Sequence, residues 1–290
     1  MKSSRKKLLG LTLLILFVVP LGIAVKKVYW EFGRTDRNSR LIAAIRKNDT
    51  AKVVSLLAQG ADANAGELPP DLRSFQQKLG DVLRGKSSSQ GKARSALLVA
   101  LEPIESIPPT KNIALINALL DAGADVNVSD KEGQTPLLWA VIMGERETTE
   151  RLLAKGARID AANSMGITAL QFAISEHDLS LMKVLVAHGA RVNVRGMHIP
   201  LLEACCEGDP DMVRVLLDNG ANLETRDISG NTALSIAAQC YNSDSVVALL
   251  LTRRAHVHTK DEHGYTPLRW ATKNNNTQII KMLKKAGAKE

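Results

Sequence analysis

The fold is decided by LLDAGADVNVSDKEGQTPLLWA, residues 119–140. It holds two half-signals, LLDAGADVNV (119–128) and GQTPLLWA (133–140), and both return along the chain. The first recurs as LLAQGADANA (56–65), LLAKGARIDA (152–161), LVAHGARVNV (185–194), LLDNGANLET (216–225) and LLTRRAHVHT (250–259). The second recurs as GITALQFA (166–173), HIPLLEA (198–204), GNTALSIA (230–237) and GYTPLRWA (264–271). Gly123, Gly156 and Gly189 stand 33 residues apart. A fixed period of this length marks an array of units, each unable to bury its apolar face without a neighbour.

The residue types fit helix pairs. Thr135, Thr168, Thr232 and Thr266 precede apolar runs and suit helix starts. Pro136 and Pro267 then fall in the first turn, where a missing N–H costs nothing. Ala140, Ala173, Ala204, Ala237 and Ala271 are small where neighbouring helices must approach. Gly123, Gly156, Gly189, Gly220 and Gly287 follow the second helix, where a left-handed residue ends it. Arg254 stands where that glycine is expected. The period, the T-P-L-x-x-A signature and the L-L-x-x-G-A-D-x-N ending together resemble the ankyrin repeat family. The resemblance covers about 41–66 and 93–290 and implies an all-α solenoid of helix-turn-helix repeats with short β-turn fingers.

Seven units follow: 41–66, 93–129, 130–162, 163–195, 196–226, 227–260 and 261–290. The first lacks a finger signature and reads as a cap. The last places Lys284 where earlier units have Leu or Val, as a solvent-facing cap should. EPIESIPPTKN (102–112) is expected to be an exposed loop, and the finger of 196–226 is two residues short. Glu203 occupies a position filled by Trp139, Phe172, Ile236 and Trp270 elsewhere, so it must be paired or at the rim. The largest departure is an insertion over 67–92. There Leu72, Phe75, Leu79, Val82 and Leu83 have helical spacing, and a polar linker, GKSSSQGKAR, follows.

Aromatic residues make up 3% of the chain, so its core is built from Leu, Ala, Val and Ile. Of the net charge of +8, +7 lies in residues 1–40, which leaves the body balanced and gives no nucleic-acid footprint. Leu8–Val25 carries no charge and would span roughly 27 Å as a helix, enough for a bilayer core. Residues 1–30 read as an uncleaved signal anchor, or as a signal peptide cut at Gly22-Ile23-Ala24, with a basic linker over 31–40. The expected location is the cell envelope, bacterial in style. The body would be periplasmic and tethered through Leu8–Val25, or free if the signal is cleaved.

The resemblance implies a non-enzymatic scaffold that binds a protein partner through finger tips and the first-helix face, with a monomeric body and no cofactor. Mapped onto this chain, those positions are Lys131, Glu132, Gln134, Ile142 and Met143, then Met165, Ile167 and Glu176. Met197, His198, Ile228, Asn231, Glu262, His263 and Tyr265 complete the set. Two other readings compete. His256, His258 and His263, with Asp261 near, offer a weakly defined metal site. Cys205 and Cys206 lie in one unit and Cys240 in the next. Cys205 reads as core packing, and a Cys206–Cys240 bridge is left open.

GDVLRGKS (80–87) matches the spacing of a phosphate-binding P-loop. That loop needs a strand before it and a helix after it, so that free N–H groups and a helix dipole face the anion. Here a helical pattern precedes and a linker follows, so the match is expected to be accidental. The Lys86→Ala variant should match the parent in showing no saturable ATP binding. Parent binding that the substitution abolishes would reinstate the phosphate site.

Overall fold

The computed structural model describes residues 33–34, 36–67, 94–101, 113–194, 198–240 and 243–289. The segment Leu8–Val25, the P-loop-like stretch 80–87, the loop 102–112 and Met197 lie outside them. No helix among the described residues is long and apolar enough to cross a membrane. The described residues fall into two compact units divided between Val128 and Ser129.

The second unit is a stack of five helix pairs. Its first helices are α5 (Pro136–Ile142), α7 (Ala169–Ser175), α9 (Pro200–Glu207), α11 (Ala233–Gln239) and α13 (Pro267–Lys273). Its second helices are α6 (Arg146–Ala154), α8 (Leu179–Ala187), α10 (Pro210–Asp218), α12 (Asp244–Thr252) and α14 (Thr277–Lys285). None exceeds nine residues, well short of what an isolated helix needs to persist in water. Burial across the stack supplies the rest. Ala140, Ala173, Ala204, Ala237 and Ala271 are all 0% exposed, and consecutive first helices pack on one another more closely than consecutive second helices do. Leu152, Leu185, Leu216, Leu250 and Leu283, one per second helix, are equally buried.

Helix starts are set as the threonines imply. Thr135 Oγ1 accepts the Leu138 N–H at 3.3 Å, and Thr232 and Thr266 cap in the same way. Each second helix ends on a residue of positive φ, and Arg254 adopts φ 63° where its sisters are glycine. The glycine pattern is therefore a backbone requirement that this unit meets against the preference of an L side chain.

The polar residues of the recurring ending join one unit to the next. Asp160 Oδ1 accepts the Arg191 N–H, Asn193 Oδ1 the Asn222 N–H, and Glu224 Oε1 the His256 N–H, all at 2.8–2.9 Å. Each is one loop reaching to the next along the stack.

The first unit holds α1 (36–46), α2 (Thr50–Ala58), β1 (Gly66–Glu67), β2 (Arg94–Ser95), α3 (Ala96–Leu101) and α4 (Ile113–Asp121). Residues 36–40, expected as linker, are helical, because they continue the helix that buries Leu41, Ile42 and Ile45. Asn38 Oδ1 accepts the Asp62 N–H, and Asn64 Oδ1 accepts the Asp125 N–H, so the loop ladder runs here too. β1 and β2 pair antiparallel, Gly66 opposite Ser95 and Glu67 opposite Arg94. Ser95 then caps α3 through the Leu98 N–H, as a finger threonine does. The insertion thus leaves from and returns to a finger.

In the second unit four fingers each close on one acidic or amide side chain. Asp130 Oδ1 accepts the Gln134 N–H, Asn163 Oδ1 the Met165 and Ile167 N–H groups, and Asp227 Oδ1 those of Ser229 and Asn231. Asp261 Oδ1 accepts from His263 and Tyr265, and its Oδ2 accepts the Trp270 indole N–H at 2.8 Å. Burial raises the Asp261 pKa, but the Tyr265 amide, the Trp270 indole and the His263 amide outweigh it, so it lies below the ordinary carboxylate value. A depressed folded pKa stabilises above the unfolded value of about 3.9, and that stability is lost as pH falls through the folded value. Asp261→Asn keeps one acceptor but turns a donor towards the indole. It should cost about 1–2 kcal/mol at pH 7. In urea melts, the gap from the parent should narrow as pH falls below about 4, where the unfolded carboxyl takes up its proton before the folded one does. A gap unchanged between pH 7 and pH 3 would contradict this role for the charge.

Candidate functional site

With alanines and leucines filling the core, the finger row and the ends of the first helices carry the candidate positions on the surface of the second unit. Two pairs of neighbouring fingers are fixed to each other by backbone. The Ser164 N–H donates to Glu132 O at 2.9 Å, and the Glu262 N–H to Ser229 O at 3.0 Å. At this approach a Cβ on Gly133 would lie 2.9 Å from Ser164 N, so only glycine fits, and its φ of 76° also favours it. The turn geometry is held by the Asp130, Asn163, Asp227 and Asp261 bonds described above. The tips are therefore rigid platforms for whatever side chains they carry.

Met165 is 65% exposed and Ile228 70% exposed, and both sit on tips. Among the described residues, Val54 is the only other large hydrophobic side chain so exposed. Lys131, Glu132, Glu262 and His263 are exposed on tips, and Glu176 is exposed at the end of α7. Ile142, Met143, Gln134 and Ile167 are half-buried.

Three expected positions have structural duties. Asn231 is a correction: it is 8% exposed, so it is interior. Its Nδ2 donates to Asp227 Oδ2 at 3.0 Å, and its Oδ1 accepts from Gln239 Nε2. Its unit has Ile236 where others have tryptophan, and the Asn231 amide supplies the N–H that the indole supplies to Asp130 and Asp261. Tyr265 is half-buried, packed edge-on against Trp270 at 4.9 Å, with the Arg269 guanidinium over its ring at 4.2 Å. It therefore has a packing role as well as a surface. His198 is half-buried, and its Nδ1 lies 2.9 Å from Glu203 Oε1.

That contact resolves the odd glutamate. Glu203 is half-exposed at the rim and paired. Burial raises its pKa, and the hydrogen bond and charge of His198 pull against the rise. Gln171, which sequence reading passed over, is 4% exposed and ties two fingers. Its Oε1 accepts the Thr168 N–H at 2.7 Å, and its Nε2 donates to His198 O. No distinct signal marked it, since the sister helices carry Leu138, Leu202, Ser235 and Arg269 at its position, polar in two of the four.

The histidines do not form one cluster. His256 faces Glu224 at 3.4 Å and belongs to the loop ladder. It borders an open cleft with His258, Leu251 and Arg254, and His263 lies outside that lining. Among the described residues, no group of three or more His, Cys, Asp or Glu side chains is placed to hold a metal ion. Asp261 is committed to the finger turn.

No match to this chain is found among curated proteins. A family model described as ankyrin repeats (3 copies) matches residues 109–196 and again 199–290. Those two stretches span more than half of the sequence, and helix pairs, fingers and loop ladder recur through them: the chain belongs to the ankyrin repeat family.

Proposed function

We propose that this protein is a non-enzymatic scaffold whose finger tips in the second unit bind a protein partner. Ankyrin repeats are interaction modules, and the observation that carries the finer reading is the exposure of Met165 and Ile228 on rigid tips. Neither side chain is required by the core. A tip whose backbone is already fixed loses little backbone freedom when a partner covers it, and a covered apolar anchor can contribute strongly to binding. Glu132, Lys131, Glu262 and His263 provide a polar rim around them.

Replacing Met165 and Ile228 together with Ser should change stability by no more than about 0.5 kcal/mol. It should weaken partner recovery from envelope extracts tenfold or more if either residue is an anchor worth about 2 kcal/mol. Leu152→Ala, in the buried face, should instead cost about 2–5 kcal/mol. A double variant that unfolds like Leu152→Ala would mean that the tips are core. One that folds normally and recovers the same partners in full would move the interface elsewhere.

The body is proposed to lie on the exported side of a bacterial envelope, tethered through Leu8–Val25. Support comes from that segment's length, its lack of charge and its flanking lysines. Protease added to spheroplasts should degrade residues 41–290 while a cytoplasmic marker survives. Full protection of the body would reject the orientation.

A further inference from the structure

Neighbouring first helices of the second unit meet at their C-terminal ends, and a pair of residues spans each of three successive junctions. His177 Nε2 lies 3.0 Å from Glu207 Oε2. Cys206 Sγ lies 2.8 Å from Cys240 Sγ. Asn274 Nδ2 donates to Gln239 O at 2.8 Å. The middle junction is the one whose side chains can be joined covalently.

The local chain is altered at this point. From the core alanine to the cap of the second helix is five residues at Ala140–Glu145, Ala173–Asp178, Ala204–Asp209 and Ala271–Asn276, but six at Ala237–Ser243. In three sister turns the cap N–H donates to the alanine carbonyl, Glu145 to Ala140, Asp178 to Ala173 and Asn276 to Ala271. Here the Ser243 hydroxyl reaches both Ala237 O and Cys240 O. Cys240 leaves the helix in extended conformation, φ −85° and ψ 152°, where Met143, Glu176 and Asn274 stay near ψ 0–5°. The lengthened turn thus begins at Cys240, one of the two sulfur-bearing residues.

We infer that Cys206 and Cys240 are a redox modification site, forming a reversible disulfide that locks the repeat 196–226 to the repeat 227–260. Cys206 is exposed and open to an incoming disulfide, and Cys240 is half-buried behind it. Cys205, next in sequence, is 0% exposed and takes no part. The oxidant is a small-molecule or protein disulfide, RS–SR. The Cys206 thiolate attacks one of its sulfurs, the S–S bond breaks, and one RS⁻ leaves with its electron pair. The Cys240 thiolate then attacks the Cys206 sulfur of the mixed disulfide and expels the second RS⁻. Two protons from the protein thiols and two electrons end on two RSH.

The environment orders these steps. Burial pushes the Cys240 thiol up to about 12, helped by its hydrogen bond to Cys206 and by the charges of Cys206 and Glu207. Once Cys206 is in a mixed disulfide, both of its contributions disappear and Cys240 ionises more readily. The closed bridge encloses α10, the finger of Asp227 and α11, so α9 and α11 cannot part while it stands.

The test uses the full-length chain in mild detergent, treated with excess oxidised glutathione or with dithiothreitol, then alkylated and digested with trypsin. Oxidised parent and Cys205→Ala should both give Gly196–Arg214 linked to Asp227–Arg253, and dithiothreitol should reverse it. Cys206→Ser and Cys240→Ser should give no such link, and Cys240→Ser should retain glutathione on Cys206. The melting temperature of the oxidised parent should rise by about 5–10 °C over its reduced form, with no rise in either Ser variant. Three alkylatable thiols after oxidation, a link through Cys205, or links only between separate chains would overturn the site. A bridge that leaves the melting temperature unchanged would overturn the lock.

Discussion

The approach of one first helix to the next, through alanines with no exposed surface, is the constraint on which the rest of this structure depends. Helices of seven or eight residues have too few internal hydrogen bonds to offset their nucleation cost. They persist because Ala140, Ala173, Ala204, Ala237 and Ala271 let neighbouring backbones come close enough to shed water from the Leu137, Leu170, Leu201, Leu234 and Leu268 side chains. A larger side chain at any of these alanines would separate two units and expose both of their leucine layers. The second helices pack on one another less closely, so the inner row sets the repeat spacing and the outer row follows it.

The fingers are the price of joining such pairs in series. Each must reverse the chain in a few residues without leaving its N–H groups unpaired, and in four fingers of the second unit one side-chain oxygen does this. What the second oxygen or nitrogen of that side chain meets then governs its neighbours. Asp130 and Asp261 face indoles, from Trp139 and Trp270. Asp227 has no indole, and Asn231 is drawn inward to replace it. Asn163 sits in the unit with Phe172, where no donor is needed, and its own Nδ2 is left buried without a partner. The four turns share one backbone solution with three different side-chain completions.

This explains which parts were legible in the sequence. Threonine, alanine, leucine and glycine recur because each answers a demand that returns with every unit, so period alone reveals them. The completions are local and do not recur. Asn231 stands four residues after its aspartate, where Gln134, Ile167 and Tyr265 also stand, and nothing in its spacing separates a buried asparagine from an exposed one. Only the joint reading of Asp227, Asn231 and Ile236 could have done so. Glu203 was legible as an anomaly, but its partner His198 lies in a shortened finger, where register is weakest. The insertion was read as lying between units. The pairing of Gly66 with Ser95 places it in a finger, which long-range pairing alone can reveal.

The same separation of recurring from local demands bears on function. A residue that the stack requires cannot vary with the partner, so the proposed binding would fall to side chains that neither core nor turn consumes. On the fingers this removes Asn231 and most of Tyr265, and it leaves Met165 and Ile228, whose backbones are held in place while their side chains remain in water. At the helix ends, the junction residues link neighbours by a histidine–carboxylate contact, a sulfur pair and an amide, with no common chemistry among them. Since the stack only needs some contact there, one junction is free to carry thiols without harm to the others. Its state of oxidation would then set how firmly α9 and α11 hold together, and with them the distance between the surfaces that the two repeats present.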